Sequence, residues 1–198
     1  VVTGKVVEKN LLKSRSAEKI ILATGAVPQN MKVQGLSEID YRTGVNAFDN
    51  EDDLASPVLI IGAGRVGSEL AWYLSDKGVE VILADILPES DLLPEEHPTN
   101  RAKLLHSVKN SGVKTLFDGK LEGEEDGLAK FDLDNRKKEV KFEDLVISIG
   151  MKPRNSLSTE LRKDKGIDNS KIYEIGDCVE PADFYEAIHD GHEIGLKV

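Results

Sequence analysis

Val58-Leu59-Ile60-Ile61-Gly62-Ala63-Gly64-Arg65-Val66-Gly67-Ser68-Glu69-Leu70-Ala71 runs a short apolar strand directly into G-x-G-x-x-G and then into a helix. This is the setting in which a dinucleotide-binding fingerprint has physical meaning. Gly62 permits the tight turn, Gly64 lets backbone approach a pyrophosphate, and Gly67 lets the helix pack closely on the strand. The backbone of the turn, Gly62-Ala63-Gly64-Arg65-Val66-Gly67, is the candidate cradle. The unpaired N–H groups and positive dipole end of the new helix supply the attraction, so no lysine is needed to hold the anion.

A second strand, Val79 to Ala84, ends at Asp85, eighteen residues after Gly67. A carboxylate at that place accepts hydrogen bonds from the adenosine ribose. It also repels the extra phosphate of NADP, and Ile86-Leu87-Pro88 offers no arginine to receive one. NAD(H) is therefore expected over NADP(H).

The 198 residues, 39% of them hydrophobic, suffice for one good core or two modest ones. Apolar runs fall short of the roughly 20 residues that span a bilayer, and no signal peptide is evident, so a cytoplasmic location is expected. A net charge of −10 argues against nucleic acid or an anionic membrane surface as partner. The single cysteine, Cys178, excludes an internal disulfide. Because the chain opens on Val1 without methionine, it is expected to be a portion of a longer protein.

Punctuation divides the chain into three parts. Residues 1–48 carry a candidate hairpin ending in Lys19-Ile20-Ile21-Leu22-Ala23-Thr24-Gly25, with Pro28 beyond it. Residues 49–151 read as strand, helix, strand, helix, strand, meander, strand. In that series Asp49–Leu54 forms a short helix, residues 99–111 a longer one, and residues 113–117 a strand. Residues 119–142 are an antiparallel meander split at Gly123, Gly127 and Asp134-Asn135. Leu145-Val146-Ile147-Ser148-Ile149 is then a buried strand capped by Gly150. The fold class is α/β: a Rossmann-like, doubly wound domain in three layers, a parallel sheet plus an antiparallel meander. Residues 152–198 hold a strand that stops at Gly176-Asp177, followed by a helix through Ala187 to Gly191. Asp177 thus stands at the carboxyl end of a sheet, where it either accepts from a polyol chain or simply caps the helix.

Four motifs in order carry a resemblance: Ala23-Thr24-Gly25-Ala26-Val27-Pro28, Gly62 to Glu69, Ser148-Ile149-Gly150-Met151-Lys152-Pro153, and Ile175-Gly176-Asp177-Cys178-Val179-Glu180-Pro181. Together they resemble the two-dinucleotide-binding flavoproteins of the pyridine nucleotide-disulfide oxidoreductase superfamily. With Glu186-Ala187-Ile188-His189-Asp190-Gly191, the last motif is most similar to the C-terminal FAD/NAD(P)-binding region of old-yellow-enzyme-type NADH:flavin oxidoreductases such as 2,4-dienoyl-CoA reductase and 2-enoate reductase.

The resemblance implies that Ala23, Thr24, Gly25, Gly176 and Asp177 belong to pieces of an FAD domain, with Asp177 on the flavin ribityl chain. It implies that residues 49–151 form the inserted NAD(H) domain, gripped through Gly62, Gly64, Gly67 and Asp85, with Gly150 lining the same cleft and Glu69 near the nicotinamide or its ribose. The reaction implied is hydride transfer from NADH to FAD, in which cofactors do the chemistry and protein orients them; no catalytic side chain and no metal ligand is nominated. The family's first glycine fingerprint for FAD is missing from these residues, as is the barrel that would carry FMN and an iron–sulfur cluster. Partners are therefore expected to be NADH and the remainder of the same polypeptide, with an oligomer possible. The isolated chain is expected to bind NADH weakly, retain little FAD and be inactive. Two other readings stand beside this one: a nucleotide-holding structural module like that of trimethylamine dehydrogenase, and a piece of an NADH oxidase or disulfide reductase.

Several other residues have plainer explanations. Cys178 reads as a small packed residue, His189 and His192 lack a third metal ligand, Trp72 and Tyr73 read as packing residues, and Glu122 to Asp126 reads as a solvated hairpin loop.

Overall fold

A computed structural model describes residues 1–15, 17–36 and 39–198. In chain order the elements are α1 (Lys9–Lys13), β1 (Ile20–Leu22), β2 (Ala26–Pro28), β3 (Arg42–Thr43), α2 (Gly44–Asp49), β4 (Val58–Ile61), α3 (Arg65–Asp76) and β5 (Val81–Ala84). There follow α4 (Pro98–Asn110), β6 (Lys114–Leu116), β7 (Lys120–Glu125), β8 (Leu128–Leu133), β9 (Arg136–Lys141) and β10 (Asp144–Ile147). Last come β11 (Met151–Pro153), α5 (Ser156–Arg162), β12 (Ile172–Glu174) and α6 (Phe184–Lys197). The chain forms two compact units, Pro28–Gly150 and, from its two ends together, Val1–Val27 with Met151–Val198.

In the central unit a five-stranded parallel sheet runs in the order β3-β10-β4-β5-β6. Its central strands β10, β4 and β5 are buried on both faces, which is why they read as apolar runs. Side chains nevertheless alternate strictly between two cores. Val58 and Ile60 of β4, Val81 and Leu83 of β5 and Val146 of β10 meet Leu70, Ala71 and Leu74 of α3 and Val108 of α4. Leu59, Ile61, Ala84, Leu145 and Ile147 point the other way, onto Leu121, Ala129, Phe131 and Val140 of the meander. Helices therefore cover one face and the antiparallel sheet β7-β8-β9 covers the other, giving three layers. Trp72 and Tyr73 pack, half-buried, against the helical core.

The meander's two turns explain themselves. Asp126-Gly127 and Asp134-Asn135 both lie at positive φ, the conformation of two-residue hairpin loops whose twist matches the strands.

Four expectations need correction. The central unit begins at Pro28, ahead of residue 49, because Arg42 and Thr43 pair with Val146 and Ile147. The short helix lies at Gly44–Asp49, capped by the Thr43 hydroxyl accepting from the Asn46 N–H, and Glu51–Asp53 forms only a tight turn. Glu122 to Glu125 belong to strand β7; the Glu124 carboxylate, buried, accepts from the Gly127 N–H at 2.8 Å and so builds the turn itself. The strand ending at Gly25 makes no hairpin: β1 pairs in parallel with β12, Ile20 opposite Ile172 and Leu22 opposite Glu174.

In the terminal unit β1 and β12 enclose a small core of Leu22, Leu161 and Ile172, lined by Leu12 of α1 and Leu157 of α5. β2 pairs with β11 beside it. Among the described residues no helix is long and apolar enough to cross a membrane.

Phe131 is 1% exposed and roofs the sheet from the meander side. Replacing it with alanine should cost about 3–5 kcal/mol. Urea unfolding followed through Trp72, the chain's single tryptophan on the opposite core, checks this; a Trp72 midpoint that does not move would show that meander and sheet do not unfold together.

Candidate nucleotide-binding site

The chain leaves β4 through Gly62, whose φ of +106° lies where a side chain is strained. A Cβ on Gly62 would stand 2.3 Å from the Ser148 carbonyl oxygen. One on Gly67 would stand 1.9 Å from the Gly62 carbonyl oxygen, so α3 comes down on its own entry turn with no room for any side chain. Gly64 differs from both. Its φ of −67° is ordinary, and an added Cβ would meet nothing within 4 Å. Neither backbone strain nor a neighbour inside the protein demands glycine there.

Gly64 is also the N-cap of α3 and gives it no side-chain cap. Helices α1 and α5 also lack a side-chain cap, whereas α2, α4 and α6 are capped by Thr43, His97 and Asp183. The first-turn amides of α3, from Arg65, Val66 and Gly67, thus have no side-chain cap and stand at the positive end of the helix dipole, where negative charge is favoured.

Asp85 holds the turn from the end of β5. Its Oδ2 accepts from the Ala63 N–H at 2.6 Å and its Oδ1 from the Leu87 N–H at 2.9 Å. A carboxylate offers about four lone-pair directions, so two remain for hydroxyl groups of a ligand. The sequence puts Asp85 forward as a ribose acceptor and does not reveal that it holds these two backbone N–H groups. It also leaves unmarked Ser68, fully buried, whose hydroxyl donates to the Ala63 carbonyl at 3.1 Å, and Gly44, where a Cβ would press on Ser148 Oγ and Val66. A polar residue on the buried side of an otherwise amphipathic helix was the available signal for Ser68. Arg65, Val66 and Glu69 are exposed around the turn, and Gly150 is exposed at φ +98° after β10.

In the terminal unit, Ala23, Thr24 and Gly25 follow β1. The Thr24 hydroxyl donates to the Arg154 carbonyl at 2.6 Å, and the Gly25 carbonyl accepts from the Arg154 N–H at 2.9 Å. Gly176, at φ +65°, donates its N–H to Asp190 Oδ2 at 2.8 Å, which fixes the turn that carries Asp177. Asp177 does not cap α6, since Asp183 does, its Oδ1 accepting from the Tyr185 N–H at 2.6 Å. The shift follows from the residues in between: Gly176–Cys178 coil into one tight turn and Pro181 delays the helix. Among the described residues the Asp177 carboxylate accepts from the Ala182 N–H alone, at 3.5 Å and the limit of hydrogen bonding, so its acceptor capacity is largely unspent. Cys178 is buried, its thiol donating to the carbonyls of Leu22 and Ile175, which makes it a packed residue. Among the described residues no group of three or more His, Cys, Asp or Glu could hold a metal ion.

These features, a bare glycine elbow under an uncapped helix and an acid at the next strand end, coincide with a family match over residues 2–191. The chain belongs to the pyridine nucleotide-disulphide oxidoreductase family. The family is enzymatic, and membership implies FAD and a pyridine nucleotide as cofactors. The NADH oxidase of Thermoanaerobacter brockii is 25% identical over 206 residues, covering 99% of this chain and 30% of that protein. The cinnamate reductase of Clostridium sporogenes is 23% identical over 193 residues, covering 96% of this chain and 28% of that one. A solved 2-naphthoyl-CoA reductase complex shares the fold, with a TM-score of 0.81 at 21% identity over 97% of this chain and 28% of its own. The chain therefore spans under a third of the length of these proteins.

Gly67→Ala is expected to lower stability by about 2–3 kcal/mol, because the overlap is with backbone that cannot step aside. Gly64→Ser, which offers α3 a cap, should leave stability unchanged or raise it by a few tenths of a kcal/mol. Chemical denaturation of the two variants beside the parent measures both; equal losses would refute the distinction drawn between the two glycines.

Proposed function

We propose that the central unit binds NADH in preference to NADPH, and that the protein serves a flavin-dependent enoate-reductase-like enzyme in which hydride passes from NADH to FAD. One observation carries the nucleotide reading: the Asp85 carboxylate ties the glycine turn to the end of β5 while keeping acceptor positions free beside the uncapped start of α3. The first-turn amides of α3 hold the diphosphate, and Gly64 permits its approach. Asp85 accepts from the adenosine ribose hydroxyls, and its charge disfavours a phosphate in their place. Glu69, one helical turn further on and exposed, is positioned toward the nicotinamide half on this reading. Domain roles follow: the terminal unit is the FAD part, with Thr24 and Gly25 shaping its backbone and Asp177 accepting from the ribityl chain.

Bound in this arrangement, the cofactors supply a hydride donor and a flavin acceptor. The protein's own residues bind, orient and exclude water, and none is required to move a proton. Support for the enoate-reductase side comes from the order of the four motifs and from a cinnamate reductase among the relatives.

Titration of the chain with NADH and NADPH tests the nucleotide reading. NADH should bind more tightly by about tenfold or more, and Asp85→Ala should erase most of that margin through loss of one or two charge-assisted hydrogen bonds. Because the substitution also frees the Ala63 N–H, Asp85→Asn, which keeps one acceptor, serves as the folded control and should lie between. An unaltered NADH-to-NADPH ratio in both variants would mean that another group reads the ribose. For the complete enzyme, anaerobic mixing with NADH should bleach the flavin absorbance; nucleotide binding without bleaching would indicate a structural module instead.

A further inference from the structure

Arg65, the first residue of α3, is the one cation on the glycine turn, and its exposed guanidinium meets a carboxylate. Its Nη1 lies 3.3 Å from Glu96 Oε1, with the arginine side chain 58% exposed and the glutamate 21%. Glu96 ends the loop that follows Asp85, and this loop is held firmly. Arg101 of α4 donates from Nε to the Leu92 carbonyl at 2.7 Å and from Nη2 to the carbonyls of Ser90 and Glu89. Leu92 and Leu93 are buried, and Leu93 sits at φ +56°, a conformation a leucine keeps only where its surroundings impose it. The loop carries Glu89, Asp91, Glu95 and Glu96 with no lysine or arginine of its own. A fixed acidic loop therefore reaches back to the phosphate-binding turn and occupies its arginine.

We propose that Glu96 is an internal competitor for Arg65: without nucleotide the arginine is paired with Glu96, and the phosphates of the bound dinucleotide draw it away, so that Arg65 is a binding residue whose availability Glu96 sets. The inference rests on the nucleotide reading above. An exposed ion pair of this kind contributes little stability and exchanges partners at low cost, whereas a diphosphate beside a helix N-terminus offers the guanidinium more charge and a better fork of acceptors. Glu96 thereby also adds a like charge that a further phosphate near the loop must overcome.

Titrations of the 198-residue chain with NADH, ADP-ribose and adenosine test this, using Glu96→Gln, Arg65→Met and the double variant. Glu96→Gln should tighten NADH and ADP-ribose by about two- to fivefold, the worth of the released pair, and leave adenosine unchanged. Arg65→Met should weaken the two phosphate-bearing ligands, and in its background Glu96→Gln should have no further effect. A gain from Glu96→Gln that persists without Arg65 would overturn the proposal in favour of simple repulsion between Glu96 and the ligand. Weaker binding by Glu96→Gln would show that Glu96 orients Arg65 for the ligand rather than withholding it. Binding of NADH with all variants alike sinks this inference alone; no binding of any nucleotide by the parent chain sinks it together with the reading on which it rests.

Discussion

The approach of Gly67 to the Gly62 carbonyl is the constraint from which the rest of the central unit follows. At 1.9 Å for a notional Cβ, this contact forces α3 to turn back over the strand it has just left. The same turn is closed from the other side by the Ser148 carbonyl at the end of β10, 2.3 Å from a Cβ on Gly62, and from above by Ser148 Oγ against Gly44 of α2. Strand β4, helices α2 and α3 and the end of β10 thus converge on a few ångströms of backbone. Only β10 as the direct neighbour of β4 brings Ser148 there, so the strand order and the elbow depend on each other.

How legible this was in the sequence depends on whether each feature is local. β4, β5 and β10 are apolar runs because both faces of the sheet are buried, and the meander turns are written in Asp-Gly and Asp-Asn; both are properties of adjacent residues. The partner of β1 is a different matter. Ile20 pairs with Ile172, and nothing within residues 19–25 distinguishes an edge of a hairpin from a parallel strand whose neighbour lies some 150 residues away. Misplacing the central unit's start has the same origin, since Arg42 and Thr43 make a two-residue strand with no periodicity to read and are recruited only by β10. At the site, the glycines and Asp85 were legible because they obey a spacing, while Ser148, Gly44 and Glu96 were not, because they arrive from separate elements.

The acidic run of β7 teaches a narrower lesson. Charge alone suggested a solvated loop for residues 122–126, yet Leu121 and Glu124 both turn inward across a register shift between Leu121 and Gly123. Glu124 tolerates burial because its carboxylate receives the Gly127 N–H, a charge-assisted bond that also defines the hairpin turn. Composition reports what a segment costs to bury, and a single well-placed donor can offset that cost.

Asp85 carries the hydrogen bonding of the turn and, on the proposed reading, recognition as well. Its two oxygens each hold a backbone N–H, one on the glycine turn and one on the loop beyond β5, so the carboxylate fixes the two segments against each other. On the proposed reading the same oxygens then accept from the ribose. A cationic residue suited to NADPH at this place, lysine or arginine, has no acceptor for the Ala63 N–H, and a neutral amide keeps one acceptor oxygen where the carboxylate has two. On the proposed reading, a change of preference made with a cation would therefore require a second change that resatisfies that amide. On that reading the choice between the two nucleotides is built into the hydrogen bonding that holds the elbow in shape.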